Sequence, residues 1–334
     1  MVPGADPAAA ARPVEPSLSV VMATYNGARF VEEQVRSVLA QDRAPDELIV
    51  ADDGSTDGTV ALVERLLAGA PFPWRLGVNP TRLGPAGNFA ALFRLARGEV
   101  IVPCDQDDRW APDKLRRIAD HLSAHGCDIV VHDAHLVGAD GRRRRGTLWS
   151  RIPFPDAERR AVGTGDALRV LLRHNVVTGA AMGFRSGLLR ALEPFPETGM
   201  HDYTLALAAA VAGRICLIDE PVGEYRLHGA NAAGVWSAWR IPDLCRRTGA
   251  TDRAGVLHLE QVAERLERAG MLDERTSRAM HERVDFLRYR AALPRSFPAR
   301  ARLVVREWAR HDGYRSFASG TLSVARDLAL GSPR

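Results

Sequence analysis

Residues Val100 to Leu115, VIVPCDQDDRWAPDKL, constrain the fold of this chain more than any other stretch. The apolar run EVIVPC reads as a buried strand. Within four positions it gives way to Asp105, Asp107 and Asp108. Trp110 and Ala-Pro-Asp-Lys follow, with Pro112 marking the start of a helix. Open α/β sheets bind their ligands at the carboxyl ends of buried strands. One Asp there is explained by a turn or a cap; three are better explained by a ligand. Asp105 and Asp107 alternate along an extended segment, which directs both to one side. Hard oxygen donors in that position suit Mg²⁺ or Mn²⁺, with a substrate phosphate completing the shell.

The chain leading to that stretch alternates strand and helix. Leu18 to Ala23, LSVVMA, is a β-branched apolar strand, followed by the turn Thr24-Tyr25-Asn26-Gly27. Phe30 to Leu39 carries apolar residues at helical spacing. Glu47 to Ala51 is a second strand, ending in Asp52-Asp53-Gly54-Ser55. A helix over 60–67, a strand over Trp74 to Val78, a loop from Pro80 to Asn88 and a helix from Phe89 to Ala96 complete the run. Such alternation predicts an α/β fold with a mostly parallel central sheet and right-handed crossovers. Polar residues at three strand ends (Thr24-Tyr25-Asn26, Asp52-Asp53, Asp105-Asp107) then meet along one sheet edge. The first strand is not followed by G-x-G-x-x-G, and no G-x-x-x-x-G-K-[ST] is present, which removes the two commonest nucleotide-binding fingerprints.

Composition narrows the function further. Of 334 residues, 46% are hydrophobic and 26% charged, as in ordinary globular chains. No apolar run approaches the ~20 residues of a membrane span, and the Ala/Pro-rich residues 1–16 read as a disordered tail, not a secretory leader. A net charge of +4, with Lys114 the only lysine, does not argue for nucleic acid. Cys104, Cys127 and Cys216 border or lie in apolar runs and read as buried thiols, not disulfides or metal ligands; a reducing cytoplasm fits. His132-Asp133-Ala134-His135 matches no zinc spacing and reads as a surface turn or an acceptor-facing loop. Arg142 to Arg145 reads as a solvated hairpin tip, with contact to an anionic acceptor or membrane as the alternative. Asn175 to Phe184 is small and apolar. Gly199-Met200-His201-Asp202-Tyr203 heads a helix over 205–212, with Asp202 at its cap or first turn. Arg214 to Ile218 is a strand and Asp219-Glu220-Pro221 a turn. Beyond Trp236, three segments with helical periodicity make a helical C-terminal region that packs, dimerises or rests on a membrane surface.

VVMATYNGARFVEEQVRSVLAQ, ELIVADDGSTDGT and GEVIVPCDQDDRWAPDKL together resemble the inverting family 2 glycosyltransferases of GT-A fold. The D-Q-D-D-x-W-x-P-x-K form is similar to the rhamnosyltransferase-like bacterial branch. The likeness runs from Leu18 to about Leu115 and resumes from Asn175 to about Gly234. It implies a catalytic domain over 17–235 and a helical region over 236–334. It also implies transfer of a sugar, with rhamnose from dTDP-rhamnose the first expectation and a UDP-hexose the second, onto a hydroxyl of a glycan or lipid-linked acceptor in cell-surface polysaccharide synthesis. By the same resemblance Asp107 holds the metal with Asp105 assisting. Ala23, Thr24, Tyr25, Asn26, Asp52, Asp53, Asn88, Asp105 and Gln106 line the nucleotide-sugar site, with Asp53 reading a pyrimidine N–H and Tyr25 near the base. Tyr225-Arg226-Leu227-His228 resembles the family's Y-R-x-H-x-x-N segment, with Asn231 in register, and puts Arg226 and His228 at the donor diphosphate. Asp202 is implied as catalytic base. The location implied is cytoplasmic, at or near the inner membrane face; peripheral membrane contact and homo-oligomerisation are left open. Competing readings are a nucleotidyltransferase and a non-catalytic sugar-nucleotide-binding protein on the same fold. The first would carry a Gly-rich basic loop after the first strand, which TYNGARF matches poorly; the second would lack Asp107 or Asp202. A dinucleotide dehydrogenase fails on the missing glycines.

Overall fold

The structure, a computed structural model, describes residues 15–228 and 249–330 apart from positions 153, 197, 311 and 319. Most of the 1–16 tail, and Asn231, Trp236 and Cys245, lie outside the described residues. The strands are β1 (Leu18–Thr24), β2 (Glu47–Asp52), β3 (Trp74–Val78), β4 (Val100–Asp105), β5 (Arg109–Trp110), β6 (Ile129–Gly138), β7 (Arg143–Thr147), β8 (Met182–Arg185) and β9 (Ile215–Leu227). The helices are α1 (Val31–Leu39), α2 (Thr59–Leu67), α3 (Gly84–Leu95), α4 (Lys114–His125), α5 (Leu148–Arg151), α6 (Asp156–Gly163), α7 (Ala167–Arg173), α8 (Leu188–Ala191) and α9 (His201–Val211). After the undescribed 229–248 come α10 (Gly249–Arg268), α11 (Glu274–Ala291), α12 (Phe297–Arg310), α13 (Gly313–Ser316) and α14 (Thr321–Leu330).

One sheet runs β3-β2-β1-β4-β8-β6-β9-β5, with β7 on the edge of β6. The first four strands pair in parallel. β8 is antiparallel to both β4 and β6, and β9 is parallel to β6. Six of the nine described strands therefore share one direction, and a mostly parallel sheet is what the alternating sequence leads one to expect. β1 and β4 are buried on both faces, which is why LSVVMA and VIVPC are continuous apolar runs rather than alternating ones. One core layer packs α1, α2 and α4 on the sheet; the other packs α3, α7 and α9, and α10 and α11 dock on that second layer. A smaller cluster around Phe286, Val304 and Tyr314 joins α11 to α12, α13 and α14. The register Ala23↔Asp105 and Thr24↔Asp52 sets the polar ends of β1, β2 and β4 side by side.

Four local expectations need correction. The 80–88 loop is shorter, because α3 begins at Gly84 with Pro85 in its first turn. Asp219-Glu220-Pro221 is no turn; β9 runs through it, with shifts of register against β6. His132 to His135 lie in the middle of β6, with His132 and Asp133 buried, so this segment is neither a surface turn nor a loop. Asp133 accepts the Trp149 N–H at 3.0 Å, and burial holds His132 well below the ordinary histidine range. Cys127 and Cys216 form a disulfide, with Cα atoms 5.9 Å apart. They lie 89 residues apart, and only the parallel pairing of β6 with β9 brings them together. The cysteines accordingly give no support for a reducing compartment. Cys104 is a buried free thiol, as its apolar setting indicates. Arg143 to Arg145 form an exposed edge strand, in keeping with a solvated hairpin.

Candidate active site

The loop after β1 is built from backbone groups that side chains have already claimed. Tyr25 N–H donates to Gln106 Oε1 (2.8 Å), Asn26 N–H to Ser55 Oγ (2.7 Å), Gly27 N–H to Thr59 Oγ1 (2.8 Å) and Ala28 N–H to Asp57 Oδ2 (3.0 Å). Four consecutive donors are thus unavailable to cradle a phosphate, which separates this loop from the Gly-rich phosphate loops of nucleotidyltransferases. Gln106 also returns its Nε2 donor to Tyr25 O at 3.0 Å. A Cβ on Gly27 would lie 2.0 Å from Gln106 Oε1, so the crossing of Gln106 needs a glycine there.

Several residues read as nucleotide-sugar ligands turn out to hold this loop system together. Asp52 is fully buried and accepts from Thr24 Oγ1 (2.7 Å), Gly54 N–H, Ser55 N–H and Ser55 Oγ. Asn26, left-handed at φ 46°, accepts the Thr56 N–H. Asn88 is buried, donates to Ala51 O and accepts from Asn79. Asp53 takes the Leu83 and Gly84 N–H groups at 2.7 and 2.8 Å, capping α3, and also the Asn79 amide. Beside it, the Arg82 guanidinium lies 3.9 Å from the centre of the Tyr25 ring. Tyr25, Arg82 and Ala23 remain partly or fully exposed at the sheet edge.

The acidic segment is not extended. The strand ends at Asp105 and the chain turns at 106–107, so Asp105 and Asp107 do not alternate on one strand. Arg226 makes the turn. It is almost wholly buried; its N–H donates to Asp108 Oδ1 (2.9 Å), its Nε to Asp107 O (2.7 Å) and its Nη2 to Glu33 Oε2 (2.7 Å). Arg226 is therefore a strut beneath the acidic loop and does not face a diphosphate; this corrects the expectation drawn from the resemblance. Asp108 likewise faces inward. The neighbouring His228 does reach the loop surface, with Nε2 2.6 Å from Asp107 Oδ2 and its ring stacked on Phe30. Arg109 is matched by Glu224 at 2.5 Å. From the other side α1 and the residues just after it grip the segment: Ser37 Oγ accepts the Trp110 N–H, and Gln41 bonds Ala111 O and the Leu115 N–H. Glu33, Ser37 and Gln41 recur every four residues, a polar stripe that the sequence displays beside the apolar one but that was not singled out.

Burial, then the charges of Asp107 and Asp202, push the Asp105 carboxyl up to about 7. Carboxylates crowded so that one gives up its charge form a site that gains by binding a cation. Among the described residues no three His, Cys, Asp or Glu side chains converge as a complete metal cage. Asp107 and Asp105, with His228 beside Asp107, fit a divalent ion that takes part of its shell from substrate phosphates.

The third part of the site is Asp202, in the first turn of α9. Its carboxylate accepts the Tyr203 N–H (2.6 Å), the Gly179 N–H (3.1 Å) and the Asn175 amide (3.4 Å). Burial raises it to about 6 against those hydrogen bonds. His201 next to it is buried against Phe89 and Phe93, and burial lowers it to about 3; it packs against those rings and is a weak proton acceptor. Lys114, noted in the sequence only for being the sole lysine, ties the two carboxylate groups together. Its buried ammonium donates to Ala180 O at 2.8 Å, one residue from the Gly179 N–H that holds Asp202, and lies 4.1 Å from the Trp110 ring centre. It is also close enough to Asp105 and Asp108 for their charges to act on it, although burial dominates and lowers it to about 8. Lys114→Met should lower stability by roughly 3 kcal/mol or more, because it leaves buried carboxylates without their cation. A urea midpoint equal to that of the parent chain would contradict that role.

Comparison with known proteins identifies the family. The profile of Glycosyl transferase family 2 matches residues 19–189, just over half of the chain. The chain is 34% identical over 219 residues to the dTDP-rhamnosyl transferase RfbG of Shigella flexneri, covering 64% of this chain and 73% of that protein. It is 28% identical over 218 residues to the glycosyltransferase alr2836 of Nostoc, covering 64% and 66%. Over a shorter span, 131 residues, it is 38% identical to the succinoglycan biosynthesis protein ExoO of Rhizobium meliloti, covering 39% and 36%. The chain spans less than two thirds of the length of several curated relatives, 60% of an uncharacterized Mycobacterium tuberculosis protein, for example. Among solved structures, residues 1–349 of TarS from S. aureus superpose with a TM-score of 0.57 at 17% identity, covering 93% of this chain and 90% of that one. The mannosyltransferase PcManGT of Pyrobaculum calidifontis, in complex with GDP-Man and Mn²⁺, superposes at 0.55 with 23% identity, covering 96% and 80%. These superpositions establish the GT-A fold, and the profile match together with the identity to RfbG establishes that the chain belongs to glycosyl transferase family 2.

Proposed function

We propose that this chain transfers a sugar from a nucleoside diphosphate to an acceptor hydroxyl, with inversion at the anomeric carbon. The observation that carries the reading is a pair of distinct carboxylate sites within electrostatic reach of each other. One, Asp105 and Asp107 with His228, is suited to a cation and a diphosphate. The other, Asp202, stands apart among N–H donors that favour its ionised form. Inversion needs that division of labour: charge neutralisation on the leaving side, and a base for the incoming hydroxyl. A divalent ion held by Asp107 with Asp105 would supply the neutralisation. The chain's own residues do the rest. Gln106 fixes the Tyr25 backbone at the nucleoside side, Arg226 and α1 hold the acidic loop, and the Gly179 N–H aims Asp202.

The donor we favour is dTDP-rhamnose, because the relative named as a dTDP-rhamnosyl transferase aligns over 64% of this chain. A UDP-hexose is the second choice. A glycan or lipid-linked acceptor in cell-surface polysaccharide assembly, at the cytoplasmic face of the membrane, fits the names of RfbG and ExoO. The test is proton NMR of the sugar first released from the donor that supports turnover. The opposite anomeric configuration to the donor is expected; retained configuration would contradict the scheme.

Asp53 offers a separate check on the nucleoside. It caps α3, and we assign its remaining acceptor capacity to a pyrimidine N–H. A hydrogen bond to a charged group contributes ~1.5–3 kcal/mol, so Asp53→Asn should weaken thymidine or uridine diphosphate about ten-fold or more. The lost cap should cost about 1 kcal/mol in stability. Calorimetry showing lowered stability with unchanged nucleotide affinity would leave Asp53 only its capping role.

A further inference from the structure

The outer faces of α12 and α14 differ from the other helical surfaces of the C-terminal region. α11 exposes a mixture of both signs, including Glu274, Arg275, Glu282, Asp285 and Arg288, and Arg288 pairs with Asp285 and Glu260. That is a solvated helix surface. α12 has no exposed acid among its described side chains. It presents Phe297 (60% exposed) and Val305 (57%) together with Arg302 and Arg306. α14 exposes Leu322 (61%), Ala325 and Ala329, and its acid, Asp327, is buried and bonded to Arg290, Tyr314 and Arg326. The two helices are braced together, since Arg300 of α12 donates to Leu328 O of α14. Arg290 of α11 anchors α14 through Asp327, and the short α13 between the two helices is held by Arg173 of α7, which donates to Arg315 O, and by Phe286 of α11, which packs on Tyr314. No described helix is long and apolar enough to cross a membrane.

We infer that this α12–α14 face docks on an anionic lipid bilayer. Exposed bulky apolar groups, with arginines beside them on α12 and no fully exposed acid among the described residues of either helix, are what an interfacial helix needs: the apolar groups enter the acyl boundary while guanidinium groups meet lipid phosphates. A second copy of the chain is a poorer occupant, because a two-fold contact through this face sets its arginines against their own images. The inference does not depend on the identity of the donor or on the assignment of the base. Bilayer contact would hold the catalytic edge near lipid-linked molecules without any spanning segment.

Vesicle flotation of the full chain decides the matter, using phosphatidylcholine alone and phosphatidylcholine mixed with phosphatidylglycerol, at low and high salt. The chain should float with the anionic vesicles at low salt, less at high salt, and not with phosphatidylcholine alone. R302E/R306E should weaken binding at least about twenty-five-fold, taking about five-fold for each arginine near an anionic surface. F297S/L322S should weaken binding even at low salt. All four residues are exposed, so melting temperatures should match the parent; if one double variant unfolds, the other still decides. Failure of the parent chain to float with anionic vesicles at low salt overturns the inference. So does parental flotation of a folded R302E/R306E variant. A dimer that V305D dissociates, in a chain that ignores vesicles, would assign the face to a second copy instead.

Discussion

Asp202→Asn is expected to transfer sugar at least about a hundred-fold more slowly than the parent chain while binding the donor with near-parental affinity. A positioned general base contributes ~10²–10⁴-fold in rate. The Tyr203 and Gly179 N–H groups donate to different oxygens of Asp202; Asn keeps one of them, enough to accept the Tyr203 N–H at the start of α9, loses the bond from Gly179, and cannot take the acceptor's proton. The surroundings of Asp202 give a second expectation. Burial raises its carboxyl from the ordinary 3.8 to about 6. The ionised base is then lost as pH falls through about 6, and kcat/KM of the parent should fall with it, far above the pH at which an exposed aspartate would titrate. For stability the sign is the reverse. With a folded value above the unfolded one, the contribution of Asp202 is fully present below about 4 and lost as pH rises through about 6. Asp202→Asn should remove that pH-dependent loss. A variant that transfers at the parental rate would move the base elsewhere, although the nearby candidates His201 and Asp133 are not well placed for it. His201 is buried and neutral, and Asp133 is buried and bonded to Trp149. Joint loss of stability and donor binding would instead show that Asp202 serves α9 alone.

Asp107→Ala is expected to remove nearly all transfer and to weaken nucleotide-sugar binding in Mg²⁺ or Mn²⁺, with the fold intact. The fold should survive because the loop is held through main-chain atoms and through Asp108. Arg226 grips the Asp107 carbonyl, which the substitution leaves in place, and the Asp108 carboxylate, which faces inward. What disappears is the carboxylate that His228 now contacts. Calorimetric titration with donor, in the presence and absence of Mn²⁺, separates the two effects. Parental binding and turnover would transfer the ligand role to Asp105, since Asp108 is committed to Arg226.

Residue patterns disclosed the frame of this site better than its wiring. Continuous apolar runs ending in polar residues predicted β1, β2 and β4 and the edge on which their ends meet. The Leu/Ala-rich helix after Asp202 predicted a first-turn carboxylate, and α9 supplies one. Partners distant in sequence were not legible. Two residues apart, Arg226 and His228 would share a face of a continuous strand, but β9 ends at Leu227; the pairing of β9 with β5 and β6 turns Arg226 under the acidic loop, while His228 lies past the strand end beside Asp107. Asp52, Asn26 and Asn88 have the chemistry of ligands, and each also bonds a loop or strand end far off in sequence, across 28, 30 and 37 residues to Thr24, Thr56 and Ala51. The β6 carboxylate Asp133 looked like part of a loop because a bulged strand breaks its alternation. Lys114 could have been weighted more heavily: a single lysine after a tryptophan and a proline, beside three aspartates, is an unusual place for a solvated charge.

The central claim, that the meeting strand ends of β1, β2 and β4 bind a nucleoside diphosphate sugar together with a divalent cation, is tested most directly by thermal unfolding. The chain would be heated with dTDP-, UDP- and GDP-sugars, each with and without Mn²⁺. A ligand that binds only the folded state at a hundred times its Kd adds ~2.7 kcal/mol of stability, which corresponds to about 4 °C for a chain of this size. The account predicts such a rise for a thymidine or uridine diphosphate sugar, larger with Mn²⁺ than without it, and absent in Asp107→Ala. No rise with any nucleotide sugar in Mn²⁺, or an equal rise in Asp107→Ala, would contradict it.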